Sequence, residues 1–292
     1  MKLEFNGNGS AEVIEKGAEL RSLKLLTGRE LMWQAGEQWA KTSPVLFPMV
    51  GGVRFGKTLI GTEEYALPKH GFARDYNFSS SKIASNSASF TFTHNNETLA
   101  VYPFKFTFKL SYQLNLGRLK IIYTVCNDGD TDMPFAIGAH PAFNVPFDKK
   151  GDFSKYKLVF SEREDVDCPL FDLTEMAFDP EKNNGRGIHD FNEYHLAYEN
   201  FVNDCVYFPK LKSKEVLLTA DGKTGVKLSW EGFEGLGVWT PADVNAPFVC
   251  LEPWCSSADF LDDSGVFAEK RGIQTAKPGE TLKYTLTIEE VA

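Results

Sequence analysis

Residues 104–114, FKFTFKLSYQL, place Phe104, Phe106, Phe108, Leu110, Tyr112 and Leu114 on one parity and Lys, Thr, Lys, Ser and Gln on the other. That period of two describes a strand with one buried and one wet face. It fits no helix, whose apolar stripe returns every three or four residues. A turn at Asn115–Gly117 leads into LKIIYTV, so 104–125 reads as a hairpin. The alternation recurs at 88–94 and 281–288, and 215–230 reads as a second hairpin with Asp221–Gly222 in its turn. The best helical stripe is FNEYHLAYENF, 191–201, and the acidic SEREDVD, 161–167, reads as a solvated loop. Strands broken by turns, with few short helices, predict an all-β fold: a large antiparallel β-sandwich. Length alone suggests about two domains, though all-β proteins often run this long as one, which would make 1–292 a single domain.

Composition narrows the function classes. The 24 phenylalanines suit strands and carbohydrate-facing surfaces, and a net charge of −9 argues against nucleic acid or an anionic membrane as partner. No apolar run approaches the length of a bilayer span. The start, MKLEFNGNGSAEV, lacks a signal-peptide apolar core, and the five cysteines are odd in number with no C-x-x-C pair. Reduced thiols, neither a disulfide frame nor a zinc site, and a cytoplasmic location are therefore expected. Oligomeric state leaves no trace in the pattern.

GGVRFGKT, 51–58, matches the spacing of a phosphate-binding loop. Such a loop must open a helix, whereas LIGTEEYALP follows here, with Gly61 and Pro68 close behind. With the nucleotide reading set aside, Arg54 becomes the notable residue of this stretch. His70 in LPKHGFARD, His140 in IGAHPAFNVPF and Glu252, at the end of an apolar strand in FVCLEPWC, occupy similar Gly, Pro and aromatic surroundings. Singly each has a structural explanation; together they form a set of two His, one Glu and one Arg.

The blocks GGVRFG, KHGFARD, GAHPAFNVP, VWT and CLEPW, in this order, resemble the aldose 1-epimerases, also called galactose mutarotase-like proteins. The resemblance implies a β-sandwich with a sugar cleft and a metal-independent, cofactor-free interconversion of the α and β anomers of an aldose. By position, His140 would be general acid and Glu252 general base. Arg54 and His70 would bind and polarise the sugar, Asp204 in FVNDCVYF would take a hydroxyl, and Arg74 would belong to the same site. Trp254, Trp239, Phe72 and Phe143 are candidates to stack on the pyranose. The chain departs from better-known members in Gly52-Val53-Arg54, where they carry Asn-Gly-Arg, and in Ala139 before His140, where they carry Asn.

The chemistry calls for such a pair, because ring opening gives a proton to the ring oxygen while another leaves the C1 hydroxyl. A nearby carboxylate would favour protonated His140. Three other readings stand beside this one. Arg54, Lys57, Lys69 and Arg74 cluster as a phosphate site would, suggesting a hexose-6-phosphate 1-epimerase. Two His and a Glu match a non-haem iron set, without its close H-x-H spacing. A non-catalytic sugar-binding protein would keep the same fold.

Overall fold

The computed structural model describes residues 1–148, 151–183 and 188–292. Among these, nine strands form one antiparallel sheet. Its order is 188–195, 157–166, 215–219, 225–231, 281–291, 118–127, 106–115, 87–93 and 79–84. Both predicted hairpins lie in it: Phe106–Asn115 pairs with Arg118–Asn127, and Glu215–Thr219 with Gly225–Glu231. The alternation performs as expected, with Phe106, Phe108, Leu110, Tyr112 and Leu114 buried and their neighbours exposed or half-exposed.

A second sheet of six strands carries Val206–Phe208, Gly235–Trp239, Phe248–Cys255, Ile137–Ala139 and Val45–Leu46, with Ala142–Asn144 also on Phe248–Cys255. The two sheets pack face to face. Phe208 of the smaller sheet meets Phe160 of the larger with ring centroids 5.5 Å apart, and Phe47 stacks on Phe108 at 4.7 Å. Val249, Leu251 and Cys255 join this shared core, while Cys250 and Trp254 fall in separate clusters on the other face of their strand. Period-two geometry therefore turns Glu252 away from the sandwich core.

Two local expectations are corrected. The supposed helical stripe at 191–201 belongs to strand Ile188–His195 and a short 3-10 turn, Tyr198–Phe201, because edge pairing to Lys157–Val166 overrides a weak stripe. The acidic stretch 161–167, read as a solvated loop, lies largely within strand Lys157–Val166. The α-helix found among the described residues is Asn96–Val101, capped by Asn95. After the GGVRFGKT stretch comes a hairpin, Thr58–Ile60 with Glu63–Tyr65, in place of the helix a phosphate loop needs.

Candidate active site

Register brings the two central residues together. Strand Phe248–Cys255 pairs with two strands on one side, Gly138 standing opposite Trp254 and Ala142 opposite Cys250. His140 lies in the break between them, where Pro141 cannot donate, and the preserved register sets it opposite Glu252. Glu252 was expected at a strand end; the strand instead continues to Cys255, and Gly237 flanks the glutamate on its other side. His140 Nε2 and Glu252 Oε2 lie 3.2 Å apart, with side chains 8% and 2% exposed. The approach is close but not aligned as a hydrogen bond: Glu252 Oε2 and His140 Nδ1 have no hydrogen-bond partner. Buried polar groups seldom stay unsatisfied without a functional reason.

This pair sits in the wall of a cavity of about 1250 Å³. Burial pushes the His140 imidazole down to about 3, and the Lys69 and Arg74 cations push it the same way. Burial pushes the Glu252 carboxyl well above its ordinary value, and Asp204 adds to the rise. Burial therefore favours the neutral imidazole and the protonated carboxyl over the charged forms, the reverse of the expected imidazolium, because desolvation outweighs the attraction of the partner.

Gly51 positions His70. The backbone N–H of His70 donates to Gly51 O at 2.7 Å, and the Gly51 N–H donates to His70 Nδ1 at 3.1 Å. With Nδ1 accepting, the neutral ring carries its proton on Nε2. Enclosure and the nearby cations hold His70 well below the usual histidine value, so it stays neutral. Its ring centroid is 5.5 Å from that of His140. Gly51 itself has φ +67°, and a Cβ there would come within 2.5 Å of Ala258 N, so the glycines of GGVRFGKT serve close packing.

Arg54 takes a different place from the one the motif implied. Its Nη2 donates to Glu175 Oε2 at 2.6 Å and its Nη1 to Leu261 O at 2.9 Å, leaving the guanidinium outside the cavity lining. Arg74 lines the cavity instead, with Nη2 donating to Lys69 O at 2.7 Å. Asp204, at φ 69°, also lines it and accepts from Lys69 Nζ at 3.4 Å. Trp254 is wedged between two glycines: a Cβ on Gly237 or Gly138 would come within 2.5 or 2.7 Å of its indole. Phe72 and Phe143 are core residues and do not reach the site, whereas Trp239 does.

Trp39 escaped the sequence reading, its surroundings GEQWAKT having no distinguishing signal. Its indole stacks on His140 with centroids 5.0 Å apart at 23°, and Trp239 meets the same imidazole edge-on at 5.9 Å. Donor atoms of His140, Cys250 and Glu252 lie within 4.8 Å of one another, a grouping that could hold a metal ion. Burial raises the Cys250 thiol well above its ordinary value as it does Glu252, so it disfavours the anionic forms that bind a metal.

A family model described as aldose 1-epimerase matches residues 1–289. The plasmid form of protein LacX from Lactococcus lactis subsp. lactis is 30% identical over 290 residues, covering 93% of this chain and 94% of its own. The X-ray structure of a galactose mutarotase related enzyme from Lactobacillus acidophilus superposes with a TM-score of 0.90 at 29% identity, over 100% of this chain and 97% of that one. A galactose mutarotase-like protein from Lactobacillus casei gives 0.87 at 28% identity, over 99% of each chain.

Proposed function

The chain belongs to the aldose 1-epimerase family, and from that premise we propose that it interconverts the α and β anomers of a free, neutral aldose through the His140–Glu252 pair. The observation that carries this reading is the 3.2 Å meeting of the two side chains in the cavity wall. Ring oxygen and C1 hydroxyl are bonded to the same carbon, so acid and base must present adjacent tips to one small locus. Each positioned proton transfer contributes roughly 10²–10⁴-fold.

The pair carries one exchangeable proton. With that proton on His140, the imidazolium is the acid and the carboxylate the base, as the family blocks imply; with it on Glu252 the roles invert. Ring opening moves the pair from one form to the other and reclosure moves it back, so both forms serve in a cycle. Around it, His70 Nε2–H and Arg74 act as donors to sugar oxygens, Asp204 as an acceptor, and the Trp39 face fixes the imidazole plane. The same reading takes 1–292 as one domain, supported by a core that draws residues from Leu3 through Ile288.

Neutral sugar is favoured over sugar phosphate because three of the four cations are paired, Lys57 with Glu64, Arg54 with Glu175 and Lys69 with Asp204, which leaves Arg74 in the cavity lining. Polarimetry on freshly dissolved α-glucose and α-galactose tests the proposal. Approach to equilibrium faster than in buffer, in proportion to protein, is expected. Binding without acceleration would place the chain among non-catalytic sugar binders, and faster turnover of glucose 6-phosphate than of glucose would reverse the choice of substrate.

A further inference from the structure

The proton-transfer pair needs only the anomeric carbon and its two oxygens, yet the cavity measures about 1250 Å³. Small-ligand pockets ordinarily run about 300–1,000 Å³, and a single pyranose is at the small end of what they hold. Two turns contribute exposed apolar side chains to the cavity's mouth. The first, Arg54–Gly56, sets Phe55 at φ 57°, ψ 13° and leaves its ring 86% exposed. The second joins strands Pro169–Asp172 and Ala177–Asn183, sets Met176 at φ 54°, and leaves Leu173 and Met176 53% and 46% exposed. All three side chains line the cavity.

A non-glycine residue in the left-handed region costs of order 1 kcal/mol, and an exposed ring returns no burial to offset it. The two turns are nevertheless clasped together. Arg54 bonds Glu175 of the second turn, and its guanidinium carbon lies 4.8 Å from the Phe55 ring centroid. The Arg54 backbone N–H donates to Asp259 at 2.7 Å, and Asp259 is held in turn by a buried ion pair with Lys270. An arginine drawn away from the cavity thus backs an aromatic ring presented to it.

Resting on the reading of the site as an aldose 1-epimerase centre, we propose that this mouth is an outer subsite for a second sugar ring, making reducing disaccharides the better substrates. The reducing unit meets His140 and Glu252, and the apolar C–H face of the next unit stacks on Phe55, with Leu173 and Met176 on the neighbouring turn. The anomeric hydroxyl must be free at the reacting end, so any extension leaves from another hydroxyl, where a glycosidic bond is the ordinary attachment. At the outer turns a charged extension gains little, since Arg54 is paired with Glu175 and Lys69 with Asp204. Phe55 is then the residue that sets specificity and Arg54 the one that positions it.

Anomerisation of glucose, maltose and cellobiose, which share a reducing glucose, is followed by NMR magnetisation exchange. At least one disaccharide should exceed glucose in kcat/KM by about tenfold, through KM, a gain within reach of one aromatic contact and the apolar area it buries. Phe55→Ala should bring that ratio near one and Phe55→Trp should restore it. Arg54→Met should lower the ratio through KM with kcat retained. Preference for glucose over both disaccharides, or an equal fall for all three sugars in Phe55→Ala, overturns the subsite. If no sugar is anomerised, the catalytic reading fails by itself and calorimetric titration decides the mouth. Tighter disaccharide than glucose binding, weakened by Phe55→Ala, then upholds it, and equal or absent binding rejects it.

Discussion

Along strand Phe106–Asn115 of the nine-stranded sheet, core-facing residues alternate with exposed or half-exposed ones, while all eight residues of Phe248–Cys255 in the six-stranded sheet are buried. In the first strand the buried face is wholly apolar. In the second, one face joins the sandwich core and the other carries Cys250, Glu252 and Trp254 toward the cavity. Buried polar atoms without partners collect around that second face: His140 Nδ1, Thr240 Oγ1, Glu252 Oε2 and Trp254 Nε1. Buried polar atoms left unsatisfied cost stability, so the cavity side of the six-stranded sheet gives some of it up where strand Phe106–Asn115 does not.

That division can be broken most severely from the stable side. Leu286→Ala, at a fully buried position of the nine-stranded sheet, should cost about 3 kcal/mol in denaturant unfolding and leave the anomerisation rate of the folded protein unchanged. A matching loss of catalysis would join the two regions into one. Next in size, His140→Gln and Glu252→Gln should each slow anomerisation by at least ~100-fold. Cooperative unfolding should persist in both, and near-native rates in either would remove that residue from the chemistry.

Gly237→Ala tests the seam between the regions. Its added Cβ meets the wedged Trp254 indole at 2.5 Å, so a loss of about 1–2 kcal/mol is expected from overpacking. About a tenfold loss of rate should accompany it, since Trp254 is two residues from Glu252 and an ångström-scale misplacement is costly in catalysis. Unchanged melting and kinetics would show that the indole has room to move.

The smallest effect has the opposite sign. Burial raises Glu252 in the folded state, so the native protein loses stability as pH climbs past the ordinary carboxyl value toward the folded one. Glu252→Gln should thus be more stable than native by about 1 kcal/mol at pH 7, with the advantage shrinking toward pH 4. His140 behaves inversely: lowered from 6.5 to about 3, it withdraws stability as pH falls through that window. Melting curves of both Gln variants at pH 4 and 7 separate the two contributions.

Much of the architecture was legible because its signal is local. Where one sheet face is wet, alternation names the strand and its buried face, as for 104–114, 215–230 and 281–288. Phe248–Cys255 has no such alternation, being buried on both faces, and it was the Pro–Trp that follows Glu252 that drew attention to the glutamate. Trp39 carried no pattern at all, and the cation cluster inferred from spacing dispersed into separate ion pairs.

The amino-acid order by itself determined the strands that have one wet face, since side-chain period is a property of the backbone within a few residues. Through its glycine and proline blocks it also marked His140, His70 and Glu252 as exceptional. Tertiary structure alone decided that register sets residue 140 opposite residue 252, and that Arg74 rather than Arg54 lines the cavity. It alone decided that neutral forms prevail at the pair. The physical reason is common to all three: strand register, the direction of a side chain leaving a strained turn, and desolvation are set by segments that meet only when the chain has folded.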